Sequence, residues 1–94
     1  MATVFIPTML QSLAGGVNQV DIQGTNLRQI LDRLEELYPG MKPSLMDGGR
    51  IRPSLSVAID GEISRMGLLE KVGESSEVHF IPAIGGGGMQ TTSA

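Results

Sequence analysis

An α+β domain, with one amphipathic helix lying on a mixed β-sheet, is the fold class the sequence predicts, and three observations predict it. Leu27, Ile30, Leu31, Leu34 and Leu37 recur at three- and four-residue steps among charged neighbours, which makes a single helical stripe. Short β-branched or alternating segments stand on both sides of that stripe, at Thr3 to Ile6, Asn18 to Ile22, Leu55 to Ile59, Glu62 to Ser64 and Glu77 to Ile84. Ninety-four residues, 40% of them apolar, suffice for one modest core and exclude a multidomain enzyme with separate cofactor and substrate lobes.

Each element has its own local reason. Thr3 to Ile6 is β-branched and aromatic and stops at Pro7, which cannot donate to a ladder. The chain then turns through Gly15-Gly16, and Asn18 to Ile22 places Val20 and Ile22 on one face, a half-buried strand paired with the first as a hairpin. The helix is expected from Thr25, whose side chain can accept a backbone N–H, to Tyr38, and Pro39-Gly40 stops it. Residues Pro39 to Pro53 hold three prolines and three glycines and predict a long mobile loop with a short helical turn at Ser44 to Met46. Leu55 to Ile59 and Glu62 to Ser64 flank Asp60-Gly61, a pair suited to the positive φ values of a type I′ turn. A brief connection holding Leu68-Leu69 leads to the last strand, Glu77 to Ile84, with Val78, Phe80 and Pro82 on one side. The order β-β-α-loop-β-β-β matches the β-grasp arrangement, in which a sheet of four to five strands is covered by one main helix and the two terminal strands lie parallel at its centre. Residues 1–84 form that domain on this reading, and residues 85–94 form a flexible glycine-rich tail.

Composition removes several function classes. The net charge of −3 argues against a phosphate backbone as partner, and the few aromatics, Phe5, Tyr38 and Phe80, offer no stacking platform, so nucleic acid is excluded. The absence of cysteine excludes disulfides, thiolate metal sites and a cysteine nucleophile. No stretch approaches the roughly 20 apolar residues of a membrane span, and MATVFIPTML has no basic n-region, so the expected location is the cytoplasm.

Few side chains invite a catalytic reading. His79, the single histidine, alternates with Val78 and Phe80 and points to the opposite face, at a surface or edge position; one histidine without cysteine builds no zinc site, and no metal is expected. Asp60 and Glu62 flank Gly61, but a turn explains them without chemistry and leaves both solvated with ordinary pKa values. Met9, Met41, Met46 and Met66 could form an adaptable contact surface, with gap-filling as the commoner explanation. The run Gly85, Gly86, Gly87, Gly88 differs, because nothing structural requires four glycines after a buried strand. A phosphate-binding loop would need a following helix and Lys-Ser or Lys-Thr, whereas Met89-Gln90 follow here; a bare linker is the bland alternative.

The run Phe80-Ile-Pro-Ala-Ile-Gly-Gly-Gly87 resembles the carboxyl signature of the ThiS/MoaD sulfur-carrier family. The helix end Leu34-Glu-Glu-Leu-Tyr-Pro-Gly40, the loop Asp47-Gly-Gly-Arg-Ile-Arg52 and the hairpin Leu55-Ser-Val-Ala-Ile-Asp-Gly-Glu62 are similar to that family as well. The resemblance implies a ubiquitin-like carrier that is not itself an enzyme and has no catalytic residue or bound cofactor. Its terminal glycine would be adenylated by an E1-like adenylyltransferase using ATP, converted to a thiocarboxylate and presented to a sulfur-accepting biosynthetic enzyme that makes a sulfur-containing metabolite or amino acid. On that reading Gly87, with Gly88 as the alternative, carries the thiocarboxylate, and Gly85 to Gly88 thread a narrow partner channel. Because Met89 to Ala94 follow the glycines, a tail-trimming protease is a further expected partner. A β-grasp protein-interaction or assembly module without sulfur chemistry is the competing reading.

Overall fold

The computed structural model describes residues 1–82. In chain order the elements are β1 (Ala2–Phe5), a 3-10 helix (Thr8–Ala14), β2 (Gln19–Ile22), α1 (Leu27–Leu37), α2 (Met41–Leu45), β3 (Met46–Asp47), β4 (Arg50–Ile51), β5 (Leu55–Ile59), β6 (Glu62–Ile63), a second 3-10 helix (Gly67–Leu69) and β7 (Glu77–Pro82). Five strands form one sheet in the order β2-β1-β7-β5-β6, with β1 and β7 parallel and every other neighbour antiparallel. A parallel pair cannot be joined by a tight turn. Here nearly the whole chain intervenes between β1 and β7, with α1 crossing one face, and the result is the β-grasp topology.

The core lies between α1 and that face. Val4 and Val78, side by side on the central parallel pair, are wholly buried, as are Leu27, Ile30, Leu31 and Leu34. Leu37 departs from the expected stripe and is 54% exposed. It is the last residue of the helix, and the space at this end is taken by Tyr38, packed against the core, and by the wholly buried Met41. The helix also starts one residue later than expected. Asn26, with extended backbone, is the N-cap: its Oδ1 accepts the Gln29 N–H at 2.9 Å, while Thr25 donates its backbone N–H and hydroxyl to Gln29 Oε1.

The segment expected as a long mobile loop is instead built. Gly40, at φ 98°, reverses the chain into α2, where a side chain would be strained. No residue at the N-cap of α2 supplies a side-chain acceptor; Glu35 from α1 does so, accepting from the N–H of Gly40 at 3.0 Å and of Lys42 at 2.8 Å. Those backbone bonds hold the Glu35 carboxyl below the ordinary carboxylate range. Pro43 falls within the first turn of α2, where its missing N–H costs nothing, and Met41 and Leu45 anchor the segment in the core. The chain then folds into the β3–β4 hairpin through Gly48 and Gly49, both at positive φ. Thr8–Ala14, expected only as a turn, is a 3-10 helix with Ala14 buried against the core.

Candidate functional site

β7 is the strand that delivers the chain to its carboxyl end, and it lies in the interior of the sheet between β1 and β5. Side chains alternate along it: Val78 and Phe80 enter the core while His79 and Ile81 face the opposite side, which α1 leaves open. Strand register then assembles a row across four strands. Phe5 is the partner of His79, His79 of Ala58, and Ala58 of Ile63. The Phe5 and His79 rings stack with centroids 4.1 Å apart and planes 8° from parallel. Ile63 and Ile81 are both substantially exposed, whereas Ala58 is covered although it stands outside the core cluster.

One end of this face is polar. The Thr3 hydroxyl donates to Asp21 Oδ1 at 3.0 Å, and His79 Nε2 lies 3.5 Å from Glu77 Oε1. The other end is apolar, where a shallow cavity of about 400 Å³ is lined by Phe5, Pro7, Met9, His79, Phe80 and Pro82, directly beside the last described residue of β7. The arrangement suits adhesion to another apolar surface, edged by charge that sets orientation. It pairs no nucleophile with a base, and among the described residues no group of three or more His, Asp or Glu could hold a metal ion.

The residues singled out in the sequence divide accordingly. His79 is at the surface but in a central strand rather than at an edge, and it belongs to the row. Asp60 and Glu62 do not join it. Asp60, at φ 54°, and Gly61, at φ 84°, form the expected turn, but the Asp60 carboxylate is not simply solvated with an ordinary pKa. It accepts from the Ser76 hydroxyl at 2.7 Å and the Glu77 N–H at 2.9 Å, and these bonds, the Ser76 one foremost, hold it below the usual range. The four methionines form no common surface: Met41 is core, Met46 packs against it, Met9 is exposed on the first 3-10 helix and Met66 is exposed just before the second. Gly85, Gly86, Gly87 and Gly88, the trimming site and the end of the strand expected to reach Ile84 lie outside the described residues. Sequence reasoning missed Phe5, Ala58, Ile63 and Ile81. Parity was the signal for Phe5 and Ala58, each apolar at a strand position flanked on both sides by core residues, and for Ile81, which follows the core residue Phe80; Ile63, between Glu62 and Ser64, had no such signal.

The model of one protein family, described as the ThiS family, matches residues 4–87, so it runs from within β1 through β7 and takes in the first three glycines of the run. The chain belongs to the ThiS family. Members of the ThiS family are sulfur carriers of the ThiS/MoaD type with a ubiquitin-like β-grasp fold. Solved structures agree. A chain in the crystal structure of the Amycolatopsis orientalis BexX/CysO complex superposes with a TM-score of 0.86 at 29% identity, covering 93% of this chain and 100% of that one. Mycobacterium tuberculosis CysO, described as an antigen, gives 0.85 at 29% identity, covering 89% and 100%. The small archaeal modifier protein 1 of Methanosarcina acetivorans, at 23% identity, shares the fold with a TM-score of 0.76 over 92% and 95% of the two chains. The curated proteins contain no match. Among the described residues of this ThiS-family chain, no helix is long and apolar enough to cross a membrane.

Proposed function

We propose that this ThiS-family chain carries sulfur as a thiocarboxylate on Gly87 and acts as a protein co-substrate rather than as an enzyme. The observation that carries the reading is the extent of the family match, which runs from within β1 through β7 and ends at Gly87, within the glycine run that follows β7. In this scheme a Gly87 carboxylate oxygen attacks the α-phosphorus of ATP in an E1-like adenylyltransferase, pyrophosphate leaves, and an acyl-adenylate forms. Hydrosulfide released from a sulfur donor then attacks the acyl carbon, AMP leaves, and the thiocarboxylate passes to a sulfur-accepting enzyme of amino-acid or specialised-metabolite synthesis. Glycines without Cβ atoms suit passage of the tail through a narrow channel, and the row Phe5, His79, Ala58 and Ile63 supplies the apolar contact that holds the activating enzyme. Nothing in this cycle requires a cysteine in the carrier. The resolved BexX/CysO assembly of a 29%-identical neighbour supports a working life in complexes.

Met89 to Ala94 follow the run, so a protease is proposed to cut after Gly87, with Gly88 the alternative, before activation. The test compares full-length protein with a variant ending at Gly87 in ATP–pyrophosphate exchange with the cognate E1-like enzyme. Exchange is expected only with the shortened form, and protein recovered from its own cell should end in glycine and carry the mass gain of sulfur replacing oxygen. Equal activation of uncut full-length protein would overturn the precursor step. Failure of both forms would favour an interaction module that uses the open face alone.

A further inference from the structure

A cleft of about 820 Å³ opens on the helical side of the molecule, between α1, α2 and the β3–β4 hairpin. Met46 and Leu68, both partly exposed, give it an apolar floor, and Arg28, Lys42 and Arg52 stand around it. With Arg50 on the adjoining β4, four of the chain's seven cationic side chains gather here, although the chain carries a net charge of −3. Two of the three acidic groups at the same place are already engaged. Asp32 pairs with the Lys42 ammonium and Glu35 accepts the Gly40 and Lys42 N–H groups, while Asp47 stands across the β3–β4 register from Arg50, which offsets its charge without an ion pair within 4 Å.

Arg28 and Arg52 are left over. Arg28 makes no ion pair within 4 Å among the described residues. Arg52 donates one guanidinium N–H to the Pro43 carbonyl at 2.9 Å, which aims the group and leaves its other donors open. The Arg52 backbone is held on both sides, its N–H donating to Leu45 and its carbonyl accepting from Leu55, so the side chain projects from a fixed point. Two guanidinium groups beside an apolar floor, one of them aimed by its bond to Pro43 and with two of the three local acids engaged, form a receptor for carboxylates.

We propose that this cleft docks an acidic segment of a partner protein, whose carboxylates engage Arg28 and Arg52 while an apolar side chain between them seats on Met46 and Leu68. Apolar burial supplies adhesion, and charge selects the segment and speeds encounter. The cleft lies in the helical layer and the row around His79 lies across the sheet from it, so one partner can hold the carrier here while another engages the open face. Docking at the cleft requires no activated glycine.

The test uses the isotopically labelled full-length chain, titrated with an acetylated and amidated peptide, Glu-Leu-Glu-Glu-Leu-Glu, and with the control Lys-Leu-Lys-Lys-Leu-Lys. Amide shifts are expected to concentrate from Met46 to Arg52 and around Arg28, with an apparent Kd near about 1 mM. Binding should weaken roughly tenfold in an R28E/R52E double variant and when salt is raised from about 0.05 M to about 0.5 M. Both arginines are exposed, so a preserved spectrum verifies that the variant is folded, and the single changes Arg28→Gln and Arg52→Gln should each show part of the loss. No shift at the cleft, equal binding of the basic peptide, shifts confined to the Phe5–Ile63 row, or unaltered affinity in the double variant would each overturn the proposal. None of these results depends on ATP, so failure here is distinguishable from failure of the carrier function.

Discussion

Leu31 and Leu37 share one helix and one sequence pattern, yet the first has no solvent exposure and the second is 54% exposed. Leu31→Ala should therefore cost about 2–5 kcal/mol, because the core around it cannot fully close on the cavity. Leu37→Ala should stay within about 0.5 kcal/mol, and urea denaturation of the pair measures both. Asp60 and Glu35 act through their charge. Their carboxyls sit below the ordinary range in the folded chain, owing to the Ser76 hydroxyl and Glu77 N–H in one case and the Gly40 and Lys42 N–H groups in the other. Between the folded and ordinary values the unfolded chain binds more protons, so stability rises with pH across that window. The contribution is fully present above the ordinary carboxylate value and is lost as pH falls through the folded one. Asp60→Asn keeps a residue that tolerates positive φ but removes the charge, and it should flatten this acid limb. Urea midpoints from neutral to acid pH check it, and an unchanged limb would show that the Asp60 bonds carry none of the dependence.

At the scale of elements, capping decides where the helices begin. Asn26→Ala removes the acceptor of the Gln29 N–H and should cost about 1 kcal/mol, whereas Thr25→Ala, which leaves that acceptor in place, should cost less. Thermal unfolding of the two variants checks the order, and a larger loss at Thr25 would return the cap to that residue. A five-residue helix such as α2 cannot stand alone in water. It persists because Met41 and Leu45 are buried and because Glu35 supplies the missing N-cap acceptor from another helix. That is why Pro39 to Pro53 reads as a loop in sequence. Proline and glycine mark turns and helix starts alike, and the acceptor that makes this stretch a helix start lies several residues upstream, on α1.

For the whole molecule, the parallel β1–β7 pair joins the first and last described strands and places the end of β7 next to the open face. The core of the described residues is built from Ala2 to Phe80, and deleting residues 85–94 is expected to leave the urea midpoint and slope unchanged while abolishing the proposed adenylation. A deletion that lowers the midpoint would show that the tail supports the fold and would end that separation of roles. The two proposed contact surfaces fall on different faces: the row around His79 lies on the open side of the sheet, and the Arg28–Arg52 cleft lies on the helical side.

The α1 stripe, the five strands of the main sheet, the Asp60-Gly61 turn and the glycine run were all legible in the amino-acid sequence, because each depends on neighbours within a few positions. Periodicity, turn chemistry and composition are local quantities. The ThiS-type reading rested on the same kind of contiguous pattern, and the family match agrees with it. The functional surfaces were not legible in that way. Phe5, Ala58, Ile63 and His79 meet only because β1, β5, β6 and β7 pair in one register, and Arg28 faces Arg52 only because α2 and the β3–β4 hairpin fold back beside α1. Strand register and layer packing are set by contacts distant in sequence, so only the tertiary structure decides which apolar side chains remain outside the core and which charges are left without a partner.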